Sequence, residues 1–500
     1  MKYIVIALLL VPLMVVAEEK STTTAVSSIP EALYARDLSG DNSMTLLEDG
    51  MTSFQARLDL INSAGKDDRV AVEYFIYELD DAGRLLNQAL ARASERGADV
   101  KILVDRSAFG TFKFNRFVAA EAKTYGIETK YYNSSGIFFS TAQFRNHRKM
   151  FLVGGKVITG GRNVANEYFG MDKDFNFDDR DILLEGPIVD KVYESFMAFW
   201  NDERSSIAKD PVKPTLRGKD QNAKSKLRAY KRGIKKASRF FKETESDLEL
   251  LKSIESKTRH RFNELTTHQC YDIVFVSDSP GAQFSERKEA SYRDDFKHLR
   301  KELYKRVMDV DDRLLISTPY FIQNKRTEGV INRVLSRDED ITVEVFTNSL
   351  ATTDHMIMSA ALYKSLKDTL DQGVKMYLHS GDQTEDVALL DRAQSSIFGV
   401  HSKSHVYDED EIFIGTYNID NRSDFYNAEM GIFCKGNREL TAELESSMRA
   451  QMEKSLDVID SKTALDSEGN VISSKGNVTL GKRSKLFFYY LPAWLIEFLL

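Results

Sequence analysis

The stretch NHRKMFLVGGKVITGGRN, residues 146–163, returns in outline as HSKSHVYDEDEIFIGTYN at residues 401–418. In both copies a histidine and a lysine stand two apart, and a glycine-bearing turn followed by an asparagine closes the segment. The copies sit in repeating surroundings. Tyr74-Phe75-Ile76 recurs as Tyr320-Phe321-Ile322, 246 residues on, and VKILVD at Val100 recurs as VEVFTN at Val343, 243 residues on. His147 and His401 are 254 apart, and Asn163 and Asn418 are 255 apart. Offsets so nearly constant require two related halves.

Each half reads the same way. VAVEYFIYE is rich in β-branched and aromatic residues and predicts a strand. Leu85, Leu86, Ala89, Leu90 and Ala93 then recur at helical spacing. VKILVD, NRFVAAEAKTYG and IETKYY continue as strand, helix, strand, and the second half repeats the order from Arg313. Alternating strands and helices predict the α/β class, with a mostly parallel sheet flanked by helices in each half. The repeat places a first domain at 44–204 and a second at 269–460.

Between them, 205–268 is a basic helical insert or linker. From Lys209 to Lys242 thirteen Lys and Arg face two acids, a charge of +11 that leaves −18 for the rest of a chain of net charge −7. Leu227, Tyr230, Ile234, Ala237 and Phe241 fall on one face of a helix there, although Gly233 weakens it. Such asymmetry suits an anionic partner, lipid headgroups or nucleic acid, or simply a solvated linker. The extension 461–500 ends in KRSKLFFYYLPAWLIEFLL, apolar, aromatic and flanked by Lys482, Arg483 and Lys485. It is too short to span a bilayer, and suits either a membrane interface or packing onto the second domain.

Residues 1–17 read as a secretory signal or an N-terminal anchor: Lys2, an apolar run from Ile4 to Val16, then Val15-Val16-Ala17 as a cleavage site. That predicts a cell-envelope, membrane-associated protein, exported or anchored. Two cysteines, Cys270 and Cys434, exclude a disulfide framework and a four-cysteine zinc site. They are expected as buried free thiols rather than as one bridge. His405, four residues after His401, is expected to be structural rather than half of a zinc pair.

On a strand, side chains at i and i+2 share a face, so each histidine has its lysine beside it. Lysine and asparagine suit phosphate oxygens by charge and by amide donation, and glycine lets backbone approach a ligand. The pattern resembles the phospholipase D superfamily, marked by a duplicated H-x-K-x4-D motif with a downstream G-x-x-N. His401, Lys403, Asp408, Gly415 and Asn418 match in full. His147, Lys149, Gly160, Gly161 and Asn163 match in the first half, with Gly154 where the family has aspartate. GGRNVANEYFG, TNSLATTDH and NIDNRSDFYNAEMG are similar to the bacterial cardiolipin synthase branch.

The resemblance implies two halves packed around one shared active site, for which a monomer suffices. It implies a phosphatidyltransferase making cardiolipin-type lipid through a phosphohistidine. His147 is assigned the attack and His401 the proton transfer. Lys149, Lys403, Asn163 and Asn418 would stabilise the non-bridging oxygens, and Asp408 completes the motif. Glu429 is expected to orient His401, and Asp181 to orient His147. No cofactor or metal is needed, and no usual metal-ligand pattern occurs. The implied partners are phospholipids, phosphatidylglycerol and phosphatidylethanolamine among them, and a membrane surface, with no nucleic acid. The competing readings are a hydrolase of phospholipid or nucleic-acid phosphodiesters and a non-catalytic lipid-binding relative, with Gly154 as a first sign of lost chemistry.

Overall fold

The computed structural model describes residues 30–106, 114–133, 144–215, 221–281, 296–381 and 390–496. The signal-like segment lies outside them.

Two sheets carry the fold. The first runs β10 (Ser205–Ile207), β5 (Glu128–Tyr132), β4 (Asp99–Asp105), β3 (Arg69–Tyr74), β6 (Met150–Val153), β7 (Lys156–Gly160), β9 (Asp181–Glu185), β2 (Asn42–Leu47), β11 (Thr267–Cys270). The second runs β1 (Tyr34–Asp37), β12 (Asp272–Ser277), β19 (Met430–Lys435), β18 (Glu411–Gly415), β17 (Ser404–Tyr407), β13 (Arg313–Ser317), β14 (Thr342–Asn348), β15 (Lys375–His379), then β20 (Leu456–Val458), β21 (Thr463–Leu465) and β22 (Val471–Ser473). The repeat is plain in the order: β5-β4-β3-β6-β7-β9-β2 corresponds to β15-β14-β13-β17-β18-β19-β12. A two-stranded parallel pair, β8 (Phe175–Asp178) with β16 (Ile397–Val400), joins the halves.

The α/β class and the paired halves are as the sequence predicts, but each sheet is mixed rather than mostly parallel. Only β3-β4-β5 and β13-β14-β15 run parallel. Those are the strands joined through helices. The motif strands β6-β7 and β17-β18 are hairpins, and hairpins pair antiparallel.

Helices α1 (Gly50–Ser63), α2 (Asp81–Glu95) and α3 (Arg116–Thr124) share the outer core of the first sheet. Asp49, Asp80 and Asn115 cap their N-termini by accepting backbone N–H groups. Strand alternation divides the apolar residues: Val70, Val72 and Tyr74 face this core, while Ala71 joins the layer between the sheets. That shared layer is filled by α4 (Ile188–Asn201) and, from the second half, by Leu440, Leu444, Met448 and Met452. This shared layer, between the two outer cores, therefore holds both halves together.

The basic insert forms α5 (Gln221–Ser238) and α6 (Glu245–Phe262), both on the first half. Gly233, which weakens the helix on paper, is where α5 approaches α3: a Cβ there would lie 2.8 Å from the Phe117 ring. Tyr230 meets the same ring edge-on at 5.8 Å. In the second half α7 (His298–Met308), α8 (Lys325–Leu335) and α9 (Met356–Asp371) cover the outer face. α10 (Arg438–Glu453) carries the four apolar residues of the shared layer, and α11 (Leu480–Leu495) packs on α9.

The expectation of free thiols is overturned. Cys270 and Cys434 form a buried disulfide. Only Tyr271 separates β11 from β12, and β12 pairs Ile273 with Cys434, so the Cα atoms of the two cysteines come within 5.7 Å. The bond ties the last strand of the first sheet to β19 of the second.

Candidate active site

Each motif histidine stands just before its hairpin, and backbone from the other half holds it there. His147 N–H donates to Ala428 O at 2.9 Å, and Ala428 N–H donates to Arg145 O at 2.8 Å. In the second motif β16 pairs with β8, and His401 N–H donates to Asp178 O at 2.7 Å. The next residue beyond each acceptor is a carboxylate, Glu429 or Asp179, and its side chain meets the ring. His147 Nδ1 lies 2.9 and 3.0 Å from the two oxygens of Glu429. His401 Nδ1 lies 2.6 Å from Asp179 Oδ2.

The orienting pairs thus cross between the halves, which corrects both expected pairings. Glu429 serves His147, not His401. Asp181 serves neither: it accepts from Ser53 Oγ at 2.8 Å and pairs with Arg57 at 2.9 Å, fully buried. Strand register explains the exchange of Asp181 for Asp179. Gly160 of β7 lies opposite Asp181, and Gly415 of β18 lies opposite Gly431. Two residues back from each partner stand Asp179 and Glu429. Aligning Ile182 with Ile432 in the sequence gives the same equivalence, so a signal for Asp179 was present. Gly161 makes room for it, since a Cβ there would come 2.0 Å from Asp179 Oδ1.

Further residues fix this frame. Thr416 and Ser423 donate to Glu429 at 2.5 and 2.9 Å, satisfying both its oxygens beside the ring. At the ends of the equivalent strands β4 and β14, Asp105 accepts from Asn146 N–H at 2.8 Å, while Asn348 accepts from Val400 N–H and donates to Val400 O at 2.8 and 2.7 Å. Each clamps the residue preceding a motif histidine. TNS at 347–349 was singled out in the sequence without this role. Arg180, buried between Asp179 and Asp181, reaches across to Ser404 Oγ at 2.8 Å.

Lys149 and Lys403 lie buried beside their histidines. Lys149 Nζ donates to His147 O at 2.7 Å, and Lys403 Nζ stands 2.8 Å from His401 Nδ1. Asn163 accepts from Ile76 N–H at 3.2 Å, and Asn418 Oδ1 is buried without a hydrogen-bond partner. Asp408 lies outside this group. On the turn between β17 and β18, at φ 51°, it accepts the N–H groups of Asp311, Asp312 and Arg313. It is a turn cap, correcting its expected place among the catalytic residues. Gly154 holds the equivalent turn at φ 58°, so its presence removes a cap and no reacting group. His405 is buried against Tyr407 and Phe413, away from chemistry, as expected.

Electrostatics follows from burial. Burial pushes both imidazoles down to about 4; for His401 the charge of Lys403 adds to it, and for His147 that of Lys149 does. Glu429 and Asp179 work against this and are themselves held low: His147 and Lys149 outweigh burial and bring Glu429 to about 2, and His401 and Lys403 bring Asp179 lower still. Burial lowers Lys149 to about 7 and Lys403 to about 8. Lys149 feels Glu429, Lys403 and Asp179 together, so the groups of both motifs share one electrostatic site. Two neutral imidazoles, each with Nδ1 against a carboxylate, leave the Nε2 lone pairs free to attack or to take a proton. Among the described residues no cluster suited to a metal occurs.

Comparison with known proteins identifies the family. The family model described as the PLD-like domain of cardiolipin synthase matches residues 58–200 and 304–452, more than half of the chain. The chain belongs to this family. Cardiolipin synthase C of Escherichia coli is 26% identical over 408 residues, 77% of this chain and 80% of its own. An uncharacterised Helicobacter pylori protein is 26% identical over 434 residues, 82% of this chain and 79% of its own. The major cardiolipin synthase of Bacillus subtilis is 21% identical over 79% of this chain and 65% of its own. Phosphatidylserine synthase of Haemophilus influenzae shares the fold, with TM-score 0.58 at 14% identity, over 94% of this chain and 98% of that one. The two stretches matched by the PLD-like model contain the two motif hairpins, one in each.

Proposed function

We propose that the protein is a phospholipid synthase of the PLD-like kind: a phosphatidyltransferase that moves a phosphatidyl group to a lipid hydroxyl and makes a cardiolipin-type product. The observation that carries this reading is the crossed pair of imidazoles, each oriented by a carboxylate of the other half and flanked by a buried lysine. Family membership and the cardiolipin synthase relatives support the choice of substrate class.

His147 Nε2 attacks phosphorus while Glu429 holds Nδ1–H and offsets the positive charge growing on the ring. The bond to the leaving oxygen breaks, and His401, protonated at Nε2 and paired with Asp179, gives that oxygen its proton. Burial keeps His401 neutral in the empty site. An arriving phosphodiester supplies the negative charge that makes its protonation favourable. The phosphohistidine is then attacked by the acceptor hydroxyl, whose proton His401 takes back; the P–N bond breaks and His147 is restored. Lys149, Lys403, Asn163 and Asn418 stabilise the non-bridging oxygens.

Purified protein incubated with phosphatidylglycerol, with and without phosphatidylethanolamine, should yield cardiolipin on thin-layer chromatography, and His401→Ala should abolish it. Phosphatidic acid as the sole product would make it a hydrolase. Degraded single-stranded DNA beside intact lipid would overturn the lipid reading, and full turnover by His401→Ala would remove the site.

A further inference from the structure

The sequence left the C-terminal segment open between a membrane interface and packing on the second half. In the structure α11 does the second with one face and leaves the other bare. Leu486 and Ala493 are each 1% exposed and belong to the second half's core, with Tyr489 and Tyr490 packed against it. Phe487, Phe488, Leu491 and Trp494 are 72, 73, 63 and 59% exposed. Four large apolar side chains in two turns are not scattered surface residues; they form one contiguous face.

Charge at the N-terminal end of the helix points to the occupant. Lys482, Arg483 and Lys485 lie there, and α11 contains no acid. A cationic end beside an aromatic, leucine-bearing face complements an anionic lipid surface, where tryptophan and tyrosine rings also settle. The helix has 16 residues, about 24 Å of length against about 30 Å of bilayer hydrocarbon, and one side is committed to protein. It is suited to lying in the membrane plane, not to crossing. Its position bears on the site. Lys482 Nζ donates to Ala351 O at 2.9 Å. That loop continues to Asp354, which accepts from Tyr320 O–H at 2.9 Å and acts electrostatically on Lys403.

We propose that α11 is an in-plane docking helix for an anionic phospholipid bilayer, with Phe487, Phe488, Leu491 and Trp494 inserted at the headgroup–acyl boundary and the exposed Arg483 and Lys485 on the lipid phosphates. The docked helix sets the loop 349–355, and with it the rim of the site, at the lipid surface. Only this last consequence rests on the phosphatidyltransferase reading; the docking stands on the helix itself.

The test uses the full chain and vesicles of phosphatidylcholine, alone or mixed with phosphatidylglycerol. The chain has two tryptophans, and Trp200 is buried, so Trp494 reports insertion. Co-sedimentation with the mixed vesicles, a blue shift of tryptophan emission absent from Trp494→Phe, and weakening by salt are expected. The double variant Phe488→Ser/Leu491→Ser should bind on the order of a hundredfold more weakly, about tenfold per lost side chain. It should keep its unfolding midpoint and its hydrolysis of soluble bis(p-nitrophenyl) phosphate. Wild-type protein that ignores the mixed vesicles, a double variant that binds as wild type, or a dimer broken by the same variant in the absence of lipid would overturn the proposal. Vesicle binding with no phosphodiester turnover would leave the docking intact and defeat the proposed chemistry.

Discussion

Two aspartates two residues apart, Asp179 and Asp181, are assigned opposite kinds of work, and replacing each by asparagine separates them. Asp179→Asn keeps size and shape but removes the charge 2.6 Å from His401 Nδ1. The amide can present its NH₂ to the ring, favouring the tautomer that carries its proton on Nε2, and the imidazolium loses its counterion. A comparable change in an oriented acid–base histidine costs about 10⁴ in kcat, or about 5 kcal/mol of barrier. Some stability should be lost as well, because His401 and Lys403 hold that carboxylate well below its ordinary range, so turnover and the His401 ring are the deciding readouts. Asp181→Asn acts on the fold instead. Its carboxylate is the charge partner of buried Arg57 and also faces Arg162 at 3.4 Å. An uncompensated buried charge of this kind costs about 3–5 kcal/mol, a large share of the ~5–15 kcal/mol that holds a typical protein together. The assays are initial-rate lipid turnover, urea unfolding, and ¹⁵N shifts of the eight histidines, in which the His401 ring nitrogens should report a changed tautomer only for Asp179→Asn. A folded Asp181→Asn without activity, beside a fully active Asp179→Asn, would refute the crossed-carboxylate frame.

Gly161→Ala should lower turnover at least tenfold with a smaller effect on the unfolding midpoint, because the new methyl displaces Asp179 from His401. Asp408→Gly should cost about 1 kcal/mol in urea unfolding, from lost backbone hydrogen bonds partly offset by glycine's ease at positive φ, and should leave turnover within about threefold. The two buried imidazoles, with folded values near 4 against about 6.5 unfolded, contribute stability that is complete above pH 6.5 and is lost as pH falls towards 4, up to about 3 kcal/mol each. Asp105 and Asp178, raised by burial to about 7 and about 6, act in the opposite direction, so the measurement is the difference in urea midpoint between wild type and His401→Asn at pH 7.5 and pH 5. Replacing Cys270 and Cys434 by alanine should cost about 5 kcal/mol for a closed loop of 164 residues, as measured by urea unfolding of oxidised wild type against the variant.

The division between what was legible and what was not follows contact range. The duplication, the α/β class, and the His, Lys and Asn of each motif lie in segments whose pattern is local: strand composition, helical spacing, i and i+2 on one face. The carboxylates are held by contacts between residues 282 and 222 positions apart. Those contacts arise only when β8 meets β16 and the chain at Asn146 meets Ala428. No local pattern states that each histidine takes its acid from the other half, so pairing within a half was the natural and mistaken expectation. The disulfide is hidden for the same reason: 164 residues separate cysteines that meet only because β11 of the first sheet runs on into β12 of the second, beside β19.

Gly154 shows how such non-local information changes the meaning of a local departure. In the sequence it stands where a motif aspartate belongs, and a lost carboxylate beside a histidine and a lysine suggests lost chemistry. In the structure the second-half carboxylate turns away from the site and ties the turn after β17 to the start of β13, while the backbone at both positions is left-handed. A residue at φ near +55° must be glycine or tolerate strain. The second half tolerates it because Asp408 gains three N–H partners; the first half takes glycine and forgoes them. The aspartate and the glycine are alternative solutions to one turn, and the reacting groups before it are the same in both halves. Gly154 is therefore no sign of a degraded first half, and each side keeps one imidazole–carboxylate pair, His147 on both oxygens of Glu429 and His401 on one oxygen of Asp179.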